Sequence, residues 1–263
     1  MKVFENYHLP TSVSEALILL AQYEGRARVV AGGTDLLVDS QTEYYEGQRP
    51  HYDALVDVTR LAGANEIYEQ DGFIVVGCAV THTQIVASSL IQQRATALAE
   101  ACAVVLMALE AEASVASLQA LVPSNQWKPL AKIFLGPGQS AVDSTRELIT
   151  ALRFRPLGKN RASAFARVMR PQGVALPILG MATCAHIENR KSEIEIQDVA
   201  ISAGPVAPVP FRAAQTEEFL RGKILGDAVL QTAAEILAKE ARPRTSAHRA
   251  TKEYRYELLP ALL

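Results

Sequence analysis

Val13, Ala16, Leu17 and Leu20 recur at i, i+3, i+4 and i+7, one apolar stripe that turns a helix toward a core. Ser12 and Glu15 stand just ahead as an S-x-x-E box, which occupies the unpaired amides of a first turn. The pattern predicts a helix that ends near Gly25. The short run Arg28-Val29-Val30-Ala31 then breaks at Gly32-Gly33-Thr34-Asp35 and resumes at Leu36-Leu37. Ala54–Val58 and Phe73–Gly77 read as strands, Thr83–Leu90 and the stretch from Arg94 onward as helical. Ten alanines between Ala95 and Ala120 give that stretch high helix propensity, while Ser114-Val115-Ala116-Ser117 reads equally well as a strand. Pro123, Pro129, Gly136, Pro137 and Gly138 mark a loop-rich passage, and Leu148–Phe154 is a further strand.

Pro156-Leu157-Gly158-Lys159-Asn160, polar and rich in breakers, is the candidate domain boundary. It divides the chain into domains at 1–157 and 161–263. Beyond it Met181–Ile187 and Glu193–Ala203 read as antiparallel strands, and Gly204 to Pro210 as a proline-stiffened connection. Helices are expected over Ala213–Arg221, Gly226–Glu240 and from His248 to the end. Strands and helices alternate first and segregate later, which predicts a two-part α+β or α/β architecture.

Composition narrows the function classes. The 263 residues carry a formal charge of −2, which lacks the basic excess of a nucleic-acid binder. The 49% hydrophobic content excludes wholesale disorder. The most apolar stretch, Val174–Ala185, spans 12 residues and contains Pro177, too short to cross a membrane. No signal peptide is read at the N-terminus, and Cys78, Cys102 and Cys184 lie 24 and 82 residues apart, unlike a disulfide framework or a CxxC cluster. A soluble cytoplasmic protein is expected. His8, His51, His82, His186 and His248 show no metal-ligand spacing, and neither a P-loop, a Gly-x-Ser-x-Gly nor a Gly-x-Gly-x-x-Gly is present. Arg242, Arg244, His248, Arg249, Lys252 and Arg255 form a basic run, suited to a solvated helix face or to docking an acidic partner.

The chemistry-bearing motif is Val29-Val30-Ala31-Gly32-Gly33-Thr34-Asp35-Leu36-Leu37. A strand that stops at two glycines exposes several amides with no side chains in the way, so an anionic diphosphate can approach the main chain. Thr34 adds a hydroxyl donor. By itself Gly-Gly-Thr-Asp suits a plain tight turn equally, with Asp35 as a cap.

In its context this nonamer resembles the first FAD diphosphate loop of the FAD-binding (medium) subunits of the xanthine dehydrogenase and carbon monoxide dehydrogenase family, the molybdenum hydroxylases. Phe4 to Leu17, Leu55-Val56-Asp57-Val58, Gly77 to Ile85, Leu98 to Cys102, Ile201 to Ala213, Glu217–Lys223 and Tyr254-Arg255 resemble the family's pattern in order along the chain. The resemblance implies an α+β fold. It comprises an FAD-binding domain of the vanillyl-alcohol-oxidase type, made of two α/β subdomains, and a C-terminal domain with a three-stranded antiparallel sheet and helices. It implies FAD bound by Val30, Ala31, Gly32, Gly33, Thr34, Asp35 and Leu36. Leu148 matches a leucine lining the flavin pocket, and Arg167 stands where the family has a lysine near the flavin. It also implies partner subunits carrying molybdopterin and [2Fe-2S], with electrons passing through FAD to NAD or another acceptor.

One family feature is missing. The second diphosphate loop, a Thr-Ile/Val-Gly-Gly-Asn turn after an Arg-Asn pair, belongs shortly after Leu98–Cys102. No glycine occurs between Gly77 and Gly136. Ala103-Val104-Val105 runs directly into Leu106-Met107-Ala108, which reads as a deletion joined near Val105. The sequence therefore leaves two readings: an FAD-binding electron-transfer subunit, and a flavin-free structural subunit that keeps the fold and holds the complex together.

Overall fold

Ser12 caps the first helix as its spacing predicts, its hydroxyl accepting the Glu15 amide at 3.2 Å. Glu15 in turn reaches the Thr11 amide at 2.8 Å, one residue before the cap's own amide that a capping box usually engages. The computed structural model describes residues 4–34, 36, 38, 52–100, 103–119, 122–136, 138–170, 177–190, 193–246 and 249–263. Within them the chain forms two compact units that interleave in sequence.

The first unit takes residues 1–84, 112–129 and 140–153. Strands β1 (Phe4–His8), β2 (Ala27–Val30) and β3 (Tyr52–Asp57) form a parallel sheet in the order β1-β3-β2, with the helix α1 (Val13–Gln22) linking the first two. Strands β4 (Ile67–Gln70), β5 (Phe73–Gly77), β6 (Glu112–Gln119), β7 (Val122–Pro129) and β10 (Glu147–Phe154) form a second sheet in the order β4-β5-β10-β6-β7. Its numbering skips β8 (Phe134–Gly136) and β9 (Gln139–Ser140), which pair with each other. Ala16, Leu17 and Leu20 of α1 share one core with Ala54 and Val56 of β3, Ala116 of β6 and Leu148 of β10. A helix stripe thus meets residues from both sheets and closes one core between them.

The second unit takes residues 85–111, 130–139 and 154–263. The helix α2 (His82–Ala87) ends near its start, and α3 (Ser89–Arg94), a 3₁₀ turn at Thr96–Ala99 and α4 (Ala103–Ala108) follow. β11 (Arg161–Met169), β12 (Pro177–Arg190), β13 (Glu193–Gly204) and β14 (Phe211–Arg212) make an antiparallel sheet in chain order. These are the three expected long strands plus a two-residue edge strand. α5 (Ala214–Leu220), α6 (Asp227–Glu240) and α7 (Lys252–Leu262) complete the unit, and Leu179, Met181, Ile201, Leu237 and Leu259 lie in its core.

Two local expectations need correction, and one that the sequence left open is decided. The helix read over Thr83–Leu90 is two helices, because Ser88 leaves helical geometry (φ −75°, ψ 115°) and caps the second. The alanine-rich stretch is helical at Ala103–Ala108 but a strand from Glu112, since burial of Ala113, Ser114, Val115 and Ala116 between two neighbouring strands overrides helix propensity. The passage with Pro123 and Pro129 is β7 rather than loop, and it tolerates both prolines because it lies at a sheet edge.

Candidate cofactor site

β2 ends at Val30, whose carbonyl accepts the Val58 amide at 2.9 Å, so the chain leaves the sheet at its C-terminal edge. This is the edge at which ligands of α/β sheets bind. Ala31 and Gly32 are exposed in the turn, Gly33 is half-buried, and Thr34, Leu36 and Val38 are helical. Gly33 has φ +70°, the left-handed region that favours glycine. Gly32 has no such requirement, and a Cβ built on it meets nothing within 4 Å. Among the described residues, neither packing nor conformation calls for its missing side chain. A strand, a bare turn and then helical backbone at the sheet's carboxyl edge fit the approach of an anion to main-chain amides. The residues present therefore fit one side of a diphosphate. Asp35 and Leu37 lie outside the described residues.

Beside this exit stands a polar pair that the sequence did not announce. Tyr7 on β1 donates its hydroxyl to Asp57 Oδ2 at the end of β3, and Asp57 Oδ1 accepts the Thr59 amide at 2.8 Å. The bond to Asp57 raises the Tyr7 phenol to about 12, aided by burial. Burial pushes the Asp57 carboxyl up, but the bonds from Thr59 and Tyr7 and the nearby Arg60 charge outweigh it, leaving it below its ordinary value. The only sequence signal was an acid closing an apolar strand.

The position of the missing loop holds α4 instead. Val105, Leu106, Met107 and Ala108 are all buried. Leu109 and Ala111 amides bond back to Val105 and Leu106 carbonyls at 2.8 and 2.9 Å, and Arg212 donates to the Met107 carbonyl at 3.4 Å and to Glu110 at 3.1 Å. Arg212 is fixed by two bonds to the buried Glu217, at 2.7 and 2.9 Å. Cys102, beside α4, lies outside the described residues.

The remaining expected residues divide. Leu148 is 1% exposed within the core of α1 and β3, the same core that Val29 packs against. It belongs to the unit of Val30 to Leu36. Arg167 is exposed on β11, opposite Gly180, in the other unit. Among the described residues no group of acids, histidines and cysteines is arranged to hold a metal ion, and no helix is long and apolar enough to cross a membrane.

The FAD binding domain in molybdopterin dehydrogenase matches residues 2–106, and the CO dehydrogenase flavoprotein C-terminal domain matches residues 163–263. The xanthine dehydrogenase FAD-binding subunit of Escherichia coli O157:H7 is 25% identical over 284 residues, covering 98% of this chain and 93% of that protein. That span exceeds the 263 residues here, so the relative carries residues that this chain lacks. The carbon monoxide dehydrogenase medium chain of Hydrogenophaga pseudoflava is 32% identical over 95 residues, 36% of this chain and 31% of that one. The structure of carbon monoxide dehydrogenase from Hydrogenophaga pseudoflava that lacks the Mo-pyranopterin moiety superposes with a TM-score of 0.84 at 21% identity, covering 97% and 93% of the two chains. With an FAD-binding domain of molybdopterin dehydrogenases followed by a CO dehydrogenase flavoprotein C-terminal domain, this chain belongs to the family of FAD-binding medium subunits of the xanthine and carbon monoxide dehydrogenases.

Proposed function

We propose that this chain is the FAD-binding subunit of a cytoplasmic molybdenum hydroxylase complex, with the substrate site on a molybdopterin-bearing partner. The observation that carries the reading is Gly32, a glycine with open space around it and no backbone requirement, beside the left-handed Gly33. FAD held there would supply the electron chemistry between the [2Fe-2S] centres of a small partner and NAD or another acceptor. The chain's own contribution is placement. The backbone at Ala31, Gly32 and Gly33 and the Thr34 hydroxyl hold the diphosphate, with Val30, Asp35 and Leu36 flanking it. Leu148 firms the core that Val29 of β2 packs against, and Arg167 carries the positive charge at the position where the resemblance has a lysine. The family matches at 2–106 and 163–263 support domains at 1–157 and 161–263.

A second reading has its own observation. α4, glycine-free and buried, stands where the other diphosphate loop belongs, which favours a flavin-free subunit that holds the complex together. The visible spectrum of the natively purified complex, followed by acid release of any flavin, separates the two. Roughly one FAD per chain supports electron transfer. A complex that keeps its molybdenum and iron–sulfur centres without flavin makes this chain a scaffold.

A further inference from the structure

The second unit gathers cations where α7 starts. Arg255, in its first turn, is 2% exposed, donates to the Arg244 carbonyl at 2.7 Å and leaves its buried Nε without a partner. Burial and the Arg249 and Arg244 charges hold its guanidinium below the ordinary value. Arg170, at the end of β11, donates to the Arg249 carbonyl at 3.1 Å, which brings a fourth guanidinium to the same place. Among the described residues no carboxylate pairs with Arg170, Arg244, Arg249 or Arg255, and the nearby Glu253 pairs with Lys252 at 3.7 Å. Four like charges, one of them desolvated with an orphan donor, are unfavourable alone. Two exposed side chains are their neighbours in sequence, Met169 at 38% beside Arg170 and Tyr254 at 42% beside Arg255. Arg, Tyr and Met are the residue types enriched at protein interfaces. A solvated helix face needs neither a buried arginine nor exposed apolar flanks.

We propose that Met169, Arg170, Arg244, Arg249 and Tyr254, laid over Arg255, form the docking surface for an acidic face of a partner subunit. The proposal rests on the reading of this chain as one subunit of a larger complex. Carboxylates of the partner supply the counter-charges that the chain itself lacks, and exclusion of water around Arg255 strengthens the attraction.

The test is the double variant Arg244→Glu with Arg249→Glu, produced with the partner subunits. Assembly is read by dissociation on dilution at several salt concentrations. Flavin content and the thermal midpoint of the isolated chain serve as controls, because neither arginine side chain makes a bond that folding needs. The expected result is assembly weaker by about a hundredfold with a flatter salt dependence, like charges now facing like. Where the double reversal lowers the midpoint, Arg244→Gln with Arg249→Gln is read instead and is expected to weaken assembly about tenfold. Unchanged affinity and salt slope overturn the docking surface and leave the subunit reading intact. A wild-type chain that joins no complex at all overturns the subunit reading, and the proposal with it.

Discussion

Replacing Gly32 by alanine separates what the fold needs from what a ligand needs. The new Cβ meets nothing within 4 Å, and the residue is not in the left-handed region. The folded chain should therefore change by no more than about 0.5 kcal/mol, as at other uninvolved surface positions. A diphosphate drawn against the same backbone meets a methyl group instead. Losing one charge-assisted amide bond costs about 1.5–3 kcal/mol, which weakens FAD by roughly 10- to 150-fold. No glycine between Gly77 and Gly136 provides a second such turn there. The assay is titration of flavin-free protein with FAD by fluorescence, with the thermal midpoint recorded on the same samples. Gly33→Ala is the companion, since φ +70° adds about 1–2 kcal/mol of backbone strain and should lower the midpoint as well. Equal FAD affinity for wild type and Gly32→Ala would refute the reasoning, because the bare turn would then have no ligand to explain it.

Other expectations concern the scaffold. Gly77→Ala places a Cβ 2.3 Å from the Ala64 carbonyl oxygen and 2.4 Å from that of Gly63, so the midpoint should drop by several degrees, at about 1–3 kcal/mol or more of overpacking. Glu217→Ala leaves the Ile201 amide unpaired and the Arg212 guanidinium with only Glu110 and the Met107 carbonyl, and denaturant unfolding should report a loss of about 1–3 kcal/mol. Tyr7 binds its proton more tightly folded than unfolded, so its contribution is full below pH 10 and lost as pH rises toward about 12. Thermal midpoints of wild type and Tyr7→Phe should differ near neutrality and converge at that alkaline end.

Much of the fold was legible where local chemistry decides it. The Ser12–Glu15 pair announced α1, the β-rich run Phe73–Gly77 is β5 to the residue, and Asp227–Glu240 follows its predicted span from the cap at Gly226. What was hidden depends on neighbours distant in sequence. Pro123 and Pro129 read as breakers because nothing local says that β7 has only one strand beside it. Ser114 to Ser117 could be helix or strand until β10 and β7 enclosed them. At the site, the glycine turn was legible because its chemistry is written in consecutive residues. Tyr7 and Asp57 were not, because 50 residues separate the two halves of their bond.

The same contrast explains how a diphosphate loop can disappear without unravelling its surroundings. A turn such as Ala31–Gly33 leaves amides to water or a ligand, whereas the C-terminal end of α4 has its carbonyls paired. Leu109 and Ala111 bond back to Val105 and Leu106, Arg212 takes the Met107 carbonyl, and the Leu130 amide takes that of Ala111 at 2.8 Å. Four consecutive buried side chains, Val105 to Ala108, anchor the segment by burial alone, at about 1.5–3 kcal/mol for each large apolar one. Flavin bound through the remaining loop then stabilises the fold only by mass action, in proportion to the logarithm of its concentration over its dissociation constant. Under the proposed function, loss of flavin would remove the electron path while the folded units persist, so occupancy of the cofactor and integrity of the scaffold would be separable properties.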